Sequence, residues 1–134
     1  MVKIIKIYEY SYSYAEYQVS DGNREIRCIC NSVPLPDDLE PQVGMPVKLL
    51  YAFCYNNLFI KKVSSTSCHK IKKRAGYFFG YEIIGTVLNK KASLIKAFDF
   101  IISLEYFYPD GITDFEEGDV VLIVADRMEC ELDL

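Results

Sequence analysis

The chain has 134 residues, is 51% hydrophobic and 25% charged, and carries a net charge of −4 with a pI near 5.0. These values fit one domain or two very small ones and exclude intrinsic disorder. No apolar run approaches the roughly 20 residues that span a bilayer. The opening stretch is broken by Lys3 and Lys6 and lacks the apolar centre and cleavage site of a signal peptide. The five cysteines are therefore expected to be reduced thiols in a cytoplasmic setting, with no membrane association.

Val2 to Tyr10 is rich in β-branched and aromatic residues and predicts a strand, and Tyr12, Tyr14, Tyr17 and Val19 prolong the β signal. Ser20-Asp21-Gly22-Asn23 predicts a hairpin turn. Beyond it, Ile26, Cys28 and Cys30 alternate with Glu25, Arg27 and Ile29, so they share one face. Pro34, Pro36 and Pro41 remove backbone donors and predict a loop or a single helical turn. Val47 to Phe53 and Leu58 to Val63 predict two more strands around Asn56-Asn57. Residues 64–76 are polar and basic and end in glycine, marking a boundary between units. Tyr81 to Leu88 predicts a strand. Ser93 to Tyr108 leaves a bent strand, two strands or part of a helix open. Val120 to Ala125 and Met128 to Leu132 predict a closing hairpin.

The two halves echo each other at an offset of 74 positions. Gly44-Met45-Pro46-Val47 aligns with Gly118-Asp119-Val120-Val121, and Ile26, Cys28 and Cys30 align with Phe100, Ile102 and Leu104. This predicts an all-β chain with residues 1–63 and 77–134 as two tandem five-stranded units joined by a 64–76 linker. Val19-Ser20-Asp21-Gly22, Ile26-Arg27-Cys28 and the glycine-led strand at Gly44 resemble the OB-fold. So do Ile84-Gly85-Thr86-Val87 and Phe115-Glu116-Glu117-Gly118-Asp119. The resemblance implies two small OB-like barrels. A single larger β-barrel or sandwich, able to hold a small apolar ligand, is the less favoured alternative.

Charge is segregated. Residues 1–63 balance, residues 64–76 hold four basic and no acidic residues, and residues 77–134 carry a net −8. Catalytic motifs are lacking, so no metal, cofactor or catalytic centre is expected. Cys28, Cys30, Cys68 and His69 lack the usual zinc-ligand spacing, and Cys28 and Cys30 fall on an apolar face. Asp37-Asp38, Glu116-Glu117 and Asp119 sit beside proline or glycine in turns. Two sets of residues suit binding instead. Tyr8, Tyr10, Tyr12, Tyr14 and Tyr17 form an aromatic face if their strand is unbroken, suited to stacking bases or anchoring a protein interface. Lys61, Lys62, Lys70, Lys72, Lys73 and Arg74 form a basic run able to contact phosphates. Because the chain is acidic overall, the expected role is a non-catalytic protein-interaction module, a small adaptor or inhibitor whose partner presents a basic surface. An OB-type single-stranded nucleic-acid binder is the alternative.

Overall fold

Strand-forming residues dominate the chain, and a computed structural model describing residues 1–134 places them in eleven strands. These are β1 Lys3–Tyr10, β2 Ala15–Ser20, β3 Glu25–Cys30, β4 Val47–Phe53, β5 Phe59–Lys62 and β6 Lys70–Lys73. The remainder are β7 Tyr81–Asn89, β8 Leu94–Ala97, β9 Phe100–Ser103, β10 Val120–Ala125 and β11 Arg127–Leu132. The only helical element is a 3-10 turn at Pro36–Asp38, where the prolines cannot donate. No helix is long and apolar enough to cross a membrane. The ambiguous Ser93–Tyr108 stretch resolves into β8 and β9, joined by a tight turn at Phe98 and Asp99.

The strands form one mixed sheet in the order β1-β2-β3-β11-β4-β9-β8-β7-β10-β5, with β6 paired to β7 beside this path. The sheet is open, so neither two closed five-stranded barrels nor one larger closed barrel is seen. The reason lies in which strand covers which edge. β1-β2-β3 and β7-β8-β9 are both antiparallel meanders. Each leaves its third strand with a free edge, and the other half of the sequence covers it. β11 runs parallel to β3, with Glu129 opposite Ile29 and Cys130 opposite Cys30. β4 runs parallel to β9, with Leu50 opposite Ile102. β11 is therefore inserted between β3 and β4, and β5 flanks β10. The residues ahead of β4 also bond to β1: Gly44 N donates to Ile4 O at 2.8 Å, and Ile4 N donates to Met45 O at 2.9 Å. The stretch expected as a linker contains β6, whose Lys70–Lys73 pair along β7.

Alternation fixes the core. Ile26 and Cys28 of β3, Ile83 of β7, Phe100 and Ile102 of β9, Ile123 of β10 and Met128 and Cys130 of β11 are all fully buried. They belong to one cluster of 26 residues drawn from both halves of the sequence. Each buried Ile or Phe contributes about 1.5–3 kcal/mol relative to leaving it in water. The side chains between them point outward, and those of β1 and β3 build the site described next.

Candidate functional site: a cation–aromatic ladder

With Ile26, Cys28 and Cys30 turned inward, Arg27 must face out. Its guanidinium lies over the ring of Tyr8, 3.9 Å from the centroid, and over that of Phe78 at 4.6 Å. Lys6 Nζ caps the Tyr8 ring at 4.7 Å, and Lys73 Nζ caps the Phe78 ring at 5.3 Å. The result is a series of contacts that alternates cation and ring: Lys6, Tyr8, Arg27, Phe78, Lys73. Cations attract the electron-rich face of an aromatic ring, so each step is favourable, by about 0.5–2 kcal/mol depending on desolvation.

Each member is placed by its local backbone. Lys6 and Tyr8 come from β1, whose register against β2 shifts between Ile4 and Lys6 and again between Ile7 and Glu9. Arg27 N donates to the hydroxyl of buried Tyr81 at 2.8 Å, which ties β3 to β7. The Arg27 side chain pairs with Glu16 on β2, its Nε donating at 2.6 Å. Glu16 is itself buried and accepts the Tyr14 hydroxyl at 3.2 Å. Phe78 lies in the connection from β6 to β7. There Arg74 N donates to Gly80 O at 3.0 Å, and Met128 N donates to Phe79 O at 2.9 Å. Beside it Arg74 stacks on Tyr77 at 3.9 Å and binds Asp126 at 2.5 Å. Phe78 is 64% exposed, Tyr77 40% and Tyr8 39%, so the rings reach solvent although they are ordered by their neighbours.

Electrostatics divide the cations into two kinds. Arg27 and Arg74 each hold a carboxylate. Lys6 and Lys73 appear in no ion pair. A third arginine repeats the arrangement on the outer face of β4 and β11, where Arg127 lies over Phe53 at 4.2 Å and binds Glu129 at 2.7 Å. Tyr106 donates to Glu129 at 2.7 Å. Burial, reinforced by that carboxylate, pushes its hydroxyl up to about 12. The hydroxyl of Tyr51, stacked on Tyr106 at 5.3 Å, is likewise raised by burial and by its bond to Glu131.

The structure draws on both residue sets read from the sequence without keeping either whole. Of the tyrosines, Tyr8 joins the ladder and Tyr14 supports Glu16. The expected single aromatic face does not form, because β1 ends at Tyr10 and the chain turns, with Ser11 N donating to Tyr14 O at 2.7 Å. Tyr10 and Tyr12 instead line a groove of about 630 Å³ with Leu35, Asp37 and Glu40. Tyr17 is fully buried, its hydroxyl has no hydrogen-bond partner, and burial raises its pKa far above that of a free tyrosine, so it belongs to the core. Of the basic run, Lys73 and Arg74 reach the ladder. Lys70 and Lys72 lie opposite Ile84 and Glu82 of β7, on the face of β6 away from Lys73. Lys61 and Lys62 lie on β5, where Lys62 pairs with Asp119 at 3.3 Å. No single basic stripe results.

Sequence reading missed Lys6, Arg27, Glu16, Tyr77 and Phe78 as site residues. A lone arginine inside an apolar alternation and a cluster of aromatics just after Gly76 were the available signals. Cys28, Cys30 and Cys130 are buried in the sheet core, while Cys68 is exposed. His69 is committed elsewhere: its Nδ1 accepts Phe98 N at 2.9 Å, and its Nε2 lies 2.8 Å from the Thr86 hydroxyl. No three His, Cys, Asp or Glu side chains converge to hold a metal ion. Chemically, the ladder can stack, donate hydrogen bonds and attract negative charge. Comparison with protein-family models, with curated proteins and with solved structures finds no match to this chain.

Proposed function

We propose that this chain is a non-catalytic binding module, a small adaptor or inhibitor, that engages a protein partner through the Lys6–Tyr8–Arg27–Phe78–Lys73 ladder. The observation that carries this reading is the exposure of Tyr8, Tyr77 and Phe78 around arginines whose charges are already matched by Glu16 and Asp126. Tyrosine and arginine dominate the energetic centres of protein interfaces. Side chains ordered before binding lose less entropy when a partner arrives, so more of their contact energy appears as affinity.

Single-stranded nucleic acid is the second reading. The order β1-β2-β3-β11-β4, together with the bonds between residues 44–45 and β1, resembles the partly open five-stranded OB barrel. Bases would stack on Phe78 and Tyr8, with Lys6 and Lys73 at the phosphates. The engaged arginines weigh against this, since guanidinium forks bound to carboxylates are not free for phosphates.

Affinity capture with a tagged chain tests the choice, run with and without nuclease and with a Tyr77→Ala, Phe78→Ala double variant. The expected result is a stoichiometric protein partner that survives nuclease and disappears with the variant. Tight anisotropy binding of a mixed-sequence oligonucleotide at ~50 mM salt, lost on replacing Lys73, would favour the second reading instead.

A further inference from the structure

Resting on the protein-binding reading above, we infer that the segment received by the ladder is acidic and presents an aromatic or large aliphatic side chain between its carboxylates. The sign of the charge follows from which cations are left over. Arg27 and Arg74 are neutralised within the chain, whereas Lys6 and Lys73, at the two ends of the ladder, are not. Glu16, the carboxylate nearest the centre of the ladder, is 7% exposed and bound to Arg27, so it presents no negative charge to an incoming group.

The two rings that flank Arg27 are apolar and open to solvent. Phe78 leaves most of its surface in water, and Tyr8 about two-fifths. A docking segment would therefore lay an apolar side chain against Phe78 and Tyr8 and set carboxylates toward Lys6 on one side and Lys73 on the other. Complementary charge at the rim of an apolar centre steers association and fixes register.

The chain's overall net charge of −4 suggests a basic partner, but the ladder strands β1 and β3 carry only Glu9 and Glu25, and Glu25 accepts Gln18 Nε2 at 3.2 Å. Asp119 and Glu116 of the β9–β10 connection pair with Lys62 and Lys90. Local rather than total charge decides what a site attracts at physiological salt, where screening extends over only about 8 Å.

The test is a selection from a displayed library of random peptides about a dozen residues long, with the intact chain immobilised. The outcome is read on wild type, Phe78→Ala, a Lys6→Gln, Lys73→Gln pair and a Lys70→Gln, Lys72→Gln control pair on the other face of β6. All of these residues are exposed, and melting curves confirm that each variant folds. The expected selection is enriched in Asp and Glu around an aromatic residue or leucine. Binding falls about tenfold or more in the Lys6, Lys73 pair and stays within about twofold in the control pair. Enrichment of basic or neutral peptides that still require Phe78 would overturn the acidic preference and leave the protein-binding reading standing. Enrichment indifferent to Phe78, or no enrichment at all, would overturn both. Displacement of the selected peptides by an oligonucleotide would assign the ladder to nucleic acid and overturn the inference.

Discussion

Arg27 shows how one side chain can be held for use. Its backbone N–H rests on Tyr81, its guanidinium is held by Glu16, and it lies over the rings of Tyr8 and Phe78. Tyr81 is the least replaceable of these. It is buried, which raises its hydroxyl pKa, and it accepts the Arg27 N–H at the point where β3 and β7 meet. Tyr81→Phe keeps the ring but leaves that donor without an acceptor, so we expect a loss of about 1–3 kcal/mol in urea denaturation, with faster amide exchange at Arg27. Unchanged stability together with unchanged exchange would show that the bond has no role.

At the scale of single elements, β7 carries a tight steric demand. It pairs with β6 through Tyr81–Ile84 and then with β8 from Thr86 onward, and Gly85 stands at the changeover. A Cβ there would lie 2.8 Å from Lys96 O, a backbone atom that cannot swing away. Gly85→Ala is expected to destabilise by about 1–3 kcal/mol or more, seen as a lower melting midpoint. The β2–β3 hairpin makes a pH prediction. Burial acts to raise the Asp21 pKa, but N–H donation from Asn23 and Arg24, both at 2.9 Å, outweighs it, and the carboxyl is held below its ordinary 3.8. A depressed folded-state pKa stabilises above the unfolded value and loses that contribution as pH falls through the folded one. The amide signals of Asn23 and Arg24 should therefore titrate with a midpoint below 3.8, and a midpoint above it would contradict the turn geometry. Most elements were legible in sequence, because alternation such as that of Ile26, Cys28 and Cys30 depends only on neighbours along the chain. The aromatic face failed at residues 11–14 for the same reason, since period two continued in the letters while the backbone turned.

At the scale of the whole molecule, pairing between distant strands could not be read. Nothing local in Arg127–Leu132 says that it will lie between β3 and β4, because that placement depends on an edge left open some hundred residues earlier. The ladder was illegible for the same cause: Tyr8, Arg27 and Phe78 lie on segments that only the assembled sheet brings together. Interleaving has a consequence. Removing residues 127–134 would take away buried Met128, Cys130 and Leu132 and bare the facing edges of β3 and β4. Such a chain should show no cooperative thermal transition, and a sharp melt close to that of the intact protein would contradict the inserted position of β11.

The ladder itself is most directly tested by a photo-crosslinking phenylalanine analogue placed at Phe78 and, as a control, at Phe59 on β5, which is 51% exposed on another strand. Irradiation in cells should yield a discrete protein adduct from position 78 and none from position 59. No adduct at 78, or equal adducts from both positions, would contradict the assignment of this surface as the place where a partner docks.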